Sequence, residues 1–275
     1  MLSDEVRRDV AATLETAERD RAPIPPLRDA YPDIDVVDSY EIQLHNIRKR
    51  LDAGAVVNGH KVGLSSEAMQ KMMGVDEPDY GHLLSDMEVF HGKPVEAGRF
   101  CYPRVEVEVA FILGDSLPGE NCTEDDVIAA TEAVAPSIEL IDSRILDWNI
   151  RLVDTIADNA SSAGYVLGPE RVKPTELDLR GIEARLYKNG SEVASGRSDA
   201  VLGNPVTVVA WLASSPLSRA RPRPGLSGST PIIQRGSITS ERSSLYIRSV
   251  PMLPGPTMAA VSLPVVEPVE TIFTP

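Results

Sequence analysis

YPRVEVEVAFIL, residues 102–113, alternates apolar and charged side chains from Val105 to Val109 and then turns apolar. Strict alternation is the period of a β-strand, whose successive side chains point to opposite faces. Glu106 and Glu108 therefore share one face, with Cα atoms about 7 Å apart, and Val105, Val107 and Val109 share the other. Two flexible carboxylates on one face can converge on a cation. They can equally form the polar outer face of a half-solvated strand. Either way, the pattern predicts a strand over 104–113 in the middle of the chain.

Away from this strand the period changes. Val6, Val10 and Leu14 recur every four residues, with no Gly or Pro from Ser3 to Ala22, so the chain opens on a helix. The prolines of PIPPL (23–27) stop it. Val37, Tyr40, Leu44, Ile47 and Leu51 predict a second helix, with Asp35 as its N-cap and Gly54 at its end. Residues 56–64 read as a short strand, and Ser65 caps a helix carrying Met69, Met72 and Met73. Thr123 and Asp126 form a capping-box pattern that opens a helix to about 133. Residues 137–141 and 163–167 read as strands, with helical spacing over 145–156 between them. Two further strands, 182–187 and 192–195, flank Asn189-Gly190, a type I′ hairpin signal. Asn204-Pro205 starts a helix to 213 in the favoured cap-then-proline order. Helices first, then strands with helices interspersed, predict an α+β fold.

The chain of 275 residues carries 41 acidic and 27 basic residues, a net charge of −14. That balance disfavours nucleic acid as a partner, because duplex binding needs a basic footprint. No stretch approaches the length of a membrane span, and the charged N-terminus lacks the apolar core of a signal peptide. Cys101 and Cys122 are too few for a disulfide framework, which predicts free thiols and a cytoplasmic location.

Charge also divides the chain. Residues 214–275 hold no Lys or Asp, six Arg, three Glu, 11 Ser and 10 of the 22 prolines. Three regions are expected: a helical region 1–55, a patterned core 56–213 and an atypical tail 214–275. Such density of Pro and Ser predicts that the tail supplies no closing strands and is divergent, frameshifted or disordered. Loss of Lys and Asp with a surge of Arg, Pro and Ser is what out-of-frame translation of GC-rich coding DNA gives. Within it only part of 231–250 has strand formers, namely Ile232, Ile233, Leu245, Tyr246 and Ile247.

Several residues carry possible chemistry. Glu139 lies in PSIELI (136–141) with apolar neighbours, and a buried charge there needs compensation by a metal ion or by a cation such as Arg144. With Glu106 and Glu108 it supplies three oxygen ligands, which suit a hard ion, Mg²⁺ or Mn²⁺. No Cys/His cluster has zinc-ligand spacing. Lys61, in the glycine-flanked stretch NGHKVGL (58–64), is either an ion-paired lysine or one tuned for proton transfer. Asp79, in PDYGH (78–82), either caps a turn or acts as an acid/base group on a loop. His60 and His82 have no partner that spacing identifies. Ser161 and Ser162 lie in NASSAG (159–164), a small-residue run suited to contacting a substrate or to an ordinary loop. A nucleophile elbow, a P-loop and a dinucleotide-binding glycine pattern are all absent.

Together GHKVGLSS (59–66), MMGVDEPDYGHLLSDM (72–87), YPRVEVEVAFIL (102–113), PSIELIDSRI (136–145), DTIADNASSAGYVLG (154–168) and SDAVLGNPVTVVAWLA (198–213) resemble the 2-hydroxypenta-2,4-dienoate hydratases, also called 2-keto-4-pentenoate hydratases. These belong to the fumarylacetoacetate hydrolase superfamily. The nearest likeness within the family is to the 2-hydroxyhexa-2,4-dienoate hydratases of actinobacterial steroid-ring degradation. The resemblance runs from about residue 30 to 213, where the six motifs occur in family order. Beyond it, PGLSGS (224–229) only faintly echoes the family's closing motif.

The resemblance implies an N-terminal helical region, a mixed β-roll core and a homo-oligomer, a pentamer or decamer. It implies a divalent metal on Glu106, Glu108 and Glu139, and catalytic roles for Lys61, Asp79 and Ser161, with Ser162 as the neighbouring alternative. The implied reaction ketonises a 2-hydroxy-2,4-dienoate to the 2-oxo-3-enoate and adds water at C4, giving a 4-hydroxy-2-oxo acid. Its substrate is a small molecule, and the downstream aldolase is a candidate partner. The rival expectations are a 4-oxalocrotonate-type decarboxylase, an acylpyruvate C–C hydrolase and a catalytically weak scaffold subunit.

Overall fold

The structure is a computed structural model and describes residues 1–188 and 191–215, with strands at 230–236, 245–246, 258–261 and 269–274. Its first 55 residues are helical: α1 (Asp4–Asp20), the single turn α2 (Leu27–Ala30) and α3 (Val36–Asp52). Ser3 caps α1 by accepting from the Val6 N–H, and the helix buries Val10, Ala11, Leu14 and Ala17. Asp35 and Asp38 form a reciprocal capping box at the start of α3, and Gly54 follows its end at φ +105°. Asp38, fully buried, also takes the Arg7 guanidinium at 2.6 Å, which ties α3 to α1.

Next come β1 (Val57–Gly63), α4 (Glu67–Met73), β2 (Asp79–Leu84), β3 (Pro94–Val95), β4 (Arg104–Leu113), α5 (Glu124–Ala130), β5 (Thr131–Ile141), α6 (Leu152–Ala157) and β6 (Ser162–Leu167). Then follow β7 (Glu183–Lys188), β8 (Ser191–Arg197), α7 (Pro205–Ser214), β9 (Thr230–Gly236), β10 (Leu245–Tyr246), β11 (Met258–Val261) and β12 (Val269–Thr274). The main sheet has six strands in the order β2-β1-β9-β4-β5-β6. All its pairings are antiparallel except β1 with β9. Its edge strands β2 and β6 contact one another without sharing a ladder, so the sheet curls into a trough and not a closed barrel. A smaller sheet runs β11-β12-β7-β8. This is the expected α+β architecture with a rolled, mixed sheet. Among the described residues no helix is long and apolar enough to cross a membrane.

Alternation along β4 sorts the core. Val105, Val107 and Phe111 turn outward into the core cluster that also buries Val206, Val208, Val209 and Leu212 of α7. Ala110 and Ile112 turn into the trough with Leu83, Ala133, Ala135 and Tyr165, forming its apolar end. Both faces of β4 are therefore covered, and the reading of a half-solvated strand does not hold.

Several expectations are corrected. The cap of α4 is Ser66 and not Ser65. Asp79 does not sit in a turn: it opens β2, where every residue is buried. The helix from Thr123 ends at Ala130, because Thr131 already pairs with β4. Helical spacing over 145–156 is interrupted where Asp147 and Trp148 adopt positive φ, and α6 forms only from Leu152. The hairpin strands pair as read, while the Asn189-Gly190 turn lies outside the described residues. In the tail, Ile232 and Ile233 lie in β9, between β1 and β4, and Leu245 and Tyr246 form β10, within the stretch allowed to pair. β11 and β12, at 258–261 and 269–274, were not expected; β12 aligns on β7 across six residues. Apolar and β-branched residues in those short segments outweigh the surrounding prolines.

Candidate metal centre

In the β4–β5 register Glu106 stands opposite Glu139 and Glu108 opposite Ser137, so one patch of the trough receives all four side chains. Glu106, Glu108 and Glu139 are each about 1 % exposed. Each offers a carboxylate oxygen within 4.8 Å of the others. Among the described residues this is the one such grouping of potential metal ligands. Carboxylates this close and this dry repel one another strongly unless a cation lies among them. The donor set is all oxygen, which fits a hard divalent ion and not zinc.

Lys61, on β1, brings its ammonium to 3.5 Å from Glu139 Oε2 and donates to the Ala160 carbonyl at 2.9 Å. The strands β9 and β4 separate β1 from β5. A flat sheet would hold these backbones about 14 Å apart, so the curl is what lets the two side chains meet. Asp79 pairs with Gly63 across β1–β2. A Cβ at Gly63 would fall 2.2 Å from Asp79 Oδ1 and 3.3 Å from Lys61 Nζ. Only glycine leaves room for both groups to converge there. Ser161 is buried beside this corner, its hydroxyl 3.2 Å from that of Thr155.

The turn that carries Ser161 is unusual. Asn159, Ala160 and Ser161 take φ values of 54°, 51° and 56°, three left-handed residues in succession without a glycine. Each costs roughly 1–3 kcal/mol and persists only where the surroundings hold it. Asn159 Oδ1 accepts from the His82 N–H at 2.8 Å and Asn159 Nδ2 donates to the His82 carbonyl at 3.0 Å. Gly81 admits this approach, since a Cβ there would lie 2.4 Å from the Asn159 carbonyl oxygen.

Behind the turn lies a second buried charge cluster. The Arg144 guanidinium bonds the Asp158 carboxylate through Nε and the Asp158 carbonyl through Nη2 at 2.6 Å, while Asp158 Oδ2 accepts from the Arg144 N–H at 2.9 Å. Burial pushes the Asp158 carboxyl up to about 7, against the opposing pull of Arg144. The sequence had offered Arg144 as a counter-ion for Glu139; it serves Asp158, and Lys61 meets Glu139. On the α3 side of β1 and β2, burial pushes His60 down to about 4 and His82 down to about 3, the latter helped by His60. His82 Nδ1 and Gln43 Oε1 are 2.9 Å apart, the partner that spacing did not reveal.

Sequence reasoning missed two polar residues at the site. Ser137 is 2 % exposed and its hydroxyl has no hydrogen-bond partner among the described residues. Alternation counted back from Glu139 puts it on the same face. Asn159 lay inside a quoted motif, but its clamp on His82 depends on a left-handed backbone that no local pattern announces. Arg104, two residues before Glu106 and on its face, holds its guanidinium 4.2 Å over the Trp148 ring at the rim.

Residues 58–219 match the family model described as fumarylacetoacetate (FAA) hydrolase C-terminal. A 2-keto-4-pentenoate hydratase of Paraburkholderia xenovorans is 42 % identical over 212 residues, 77 % of this chain and 79 % of that protein. The 2-hydroxyhexa-2,4-dienoate hydratase of Comamonas testosteroni is 43 % identical over 204 residues, 74 % of this chain and 77 % of that protein. Among solved structures, 4-oxalocrotonate decarboxylase from Pseudomonas putida G7, complexed with magnesium and adipate, superposes with a TM-score of 0.83 at 29 % identity, covering 98 % of each chain.

Proposed function

The chain belongs to the fumarylacetoacetate hydrolase family, and on that premise we propose that it is a divalent-metal-dependent hydratase of 2-hydroxy-2,4-dienoates, a hydro-lyase yielding 4-hydroxy-2-oxo acids. The observation that carries this reading is the buried Glu106–Glu108–Glu139 cluster with Lys61 against it, in a chain 42 % identical to a 2-keto-4-pentenoate hydratase. Glu106, Glu108 and Glu139 would hold the divalent ion, and Mg²⁺ or Mn²⁺ best matches their oxygen donors. Such an ion supplies Lewis acidity toward a 2-oxo acid.

The chain's own residues do the remaining work. Ketonisation and hydration each need a positioned proton donor and acceptor. Lys61 and Asp79, converging over Gly63, are that pair. Ser161, at the same corner, orients the substrate carboxylate or the attacking water. The apolar end of the trough, lined by Leu83, Ala110, Ile112 and Tyr165, excludes bulk water from the reacting carbons. We assign the chain to ring-cleavage catabolism of aromatic or steroid compounds in the cytoplasm, as a homo-oligomer upstream of an aldolase. We keep 1–55 as a helical region, 56–213 as the catalytic core and 214–275 as a divergent tail.

Metal-assisted decarboxylation of a 2-oxo dioic acid is the second reading, favoured by the 29 % identity to 4-oxalocrotonate decarboxylase along the full chain. Arg104 at the rim is a cation that a second carboxylate would use. One assay separates the two: ultraviolet loss of 2-hydroxypenta-2,4-dienoate with and without EDTA, with the product weighed by mass spectrometry. A gain of one water that EDTA abolishes supports the hydratase. Inertness toward the dienoate, with carbon dioxide release from 4-oxalocrotonate, overturns it.

A further inference from the structure

We propose that Asn159 is a positioning residue of the reaction, pinning the left-handed Asn159–Ser161 turn to β2 so that the Ala160 carbonyl holds the Lys61 ammonium in place. The inference rests on the hydratase reading for its kinetic consequence but not for its geometry. Lys61 carries a long, flexible chain whose head group lies 3.5 Å from Glu139. The hydrogen bond of 2.9 Å to the Ala160 carbonyl constrains that head group from the turn. That carbonyl points at Lys61 because residues 159–161 are left-handed, a conformation that relaxes to the ordinary regions unless held.

Beside the Thr155–Ser161 hydroxyl contact, three attachments hold it. Asn159 bonds both backbone groups of His82, in the manner of one more strand residue beside β2. The Asp158 carbonyl, gripped by Arg144, accepts from the Ser161 N–H at 3.0 Å. On the far side the Ser161 carbonyl accepts from the Asp142 N–H at 2.9 Å. Of these, only the Asn159 amide joins the turn to the β1–β2 pair that bears Lys61 and Asp79. Gly81 has no Cβ to obstruct it. Asn159 thus sets the distance between the turn and the proton-transfer pair.

Asn159→Ala and Asn159→Gly in the full chain test this, with Mg²⁺ saturating. Glycine enters the left-handed region without strain, so the second variant keeps the backbone and removes only the clamp. Trace labelling with acetic anhydride, read lysine by lysine by mass spectrometry, follows Lys61, with exposed Lys71 as the internal control. In both variants Lys61 should label at least about fivefold faster and Lys71 at the wild-type rate. The value of kcat should fall about 10- to 100-fold, as expected for misplacement by about 1 Å, while KM, Mg²⁺ affinity and Mg²⁺ stoichiometry stay within twofold. Unchanged Lys61 labelling overturns the proposal whatever the activity. So does wild-type kcat in Asn159→Gly, or loss of Mg²⁺ stoichiometry in parallel with kcat, which marks a role in folding alone. Should the wild-type chain turn over no dienoate, the hydratase reading fails and the labelling still decides the turn.

Discussion

Two clusters of buried charge lie on either side of the 158–162 segment, and they are built on opposite rules. In one, Arg144 and Asp158 meet as a forked ion pair, with the Asp158 carbonyl and the Arg144 N–H adding backbone bonds. Opposite charges there are in direct contact. In the other, three carboxylates lie within 4.8 Å of one another, with the Lys61 ammonium 3.5 Å from Glu139. Like charges there are crowded together. The first cluster holds the backbone; the second is built to bind a cation and to work on what that cation binds. Burial alone does not tell such clusters apart, since every side chain in both is about 5 % exposed or less. The signs of the charges brought together do.

The sharpest contrast is between catalysis and stability. Lys61→Ala should lower kcat by about 10²–10⁴, the range for a lost general acid/base, with Mg²⁺ binding by calorimetry retained. Arg144→Ala should instead destabilise the fold by about 3–5 kcal/mol in urea unfolding, because it strands the buried Asp158 carboxylate. Wild-type stability after Arg144→Ala would erase the distinction between the clusters.

Metal addition should act on one cluster only. Mg²⁺ at 100 times its Kd should stabilise the wild-type chain by about 2.7 kcal/mol and leave Glu106→Gln unmoved in thermal melts. Without metal, the comparison inverts: Glu106→Gln should raise apo-protein stability by about 1 kcal/mol by removing like-charge repulsion, whereas Asp158→Asn should lower it.

A smaller effect belongs to neither cluster. His60 and His82, held neutral with folded values of about 4 and about 3 against the ordinary 6.5, bind protons more readily in the unfolded chain. Their contribution to stability is complete above about pH 6.5 and is lost as pH falls toward 4. Asp158, raised by burial, acts in the opposite sense over the same range, so the expected result is comparative: from pH 7.5 to 4.5 wild type should lose more unfolding free energy than His82→Gln.

What the sequence made legible follows the range of the interaction. Alternation over 104–113 matched β4 residue for residue, and the Asp35 and Thr123 caps were readable because a cap involves neighbours three residues apart. The three glutamates emerged from a strand period plus one misplaced charge among apolar residues. Asp79 was misread as a turn residue because Pro78 and Gly81 dominate its local pattern, although pairing with β1 makes it a strand. Arg144 was one of two compensations offered for Glu139, beside a metal ion, and it pairs with Asp158 instead, since nothing local distinguishes one nearby carboxylate from another. The Asn159 clamp and the entry of β9 into the main sheet depend on contacts 77 and more residues apart, which no local pattern encodes.

The claim that the convergence of Glu106, Glu108 and Glu139 makes them a divalent-ion site is tested most directly by calorimetric titration of EDTA-stripped protein with Mg²⁺. Wild-type chain and Asp158→Asn, where each remains folded, should bind with the same stoichiometry, and Glu106→Gln should show no saturable heat. Equal Mg²⁺ binding by Glu106→Gln and wild type would contradict the account.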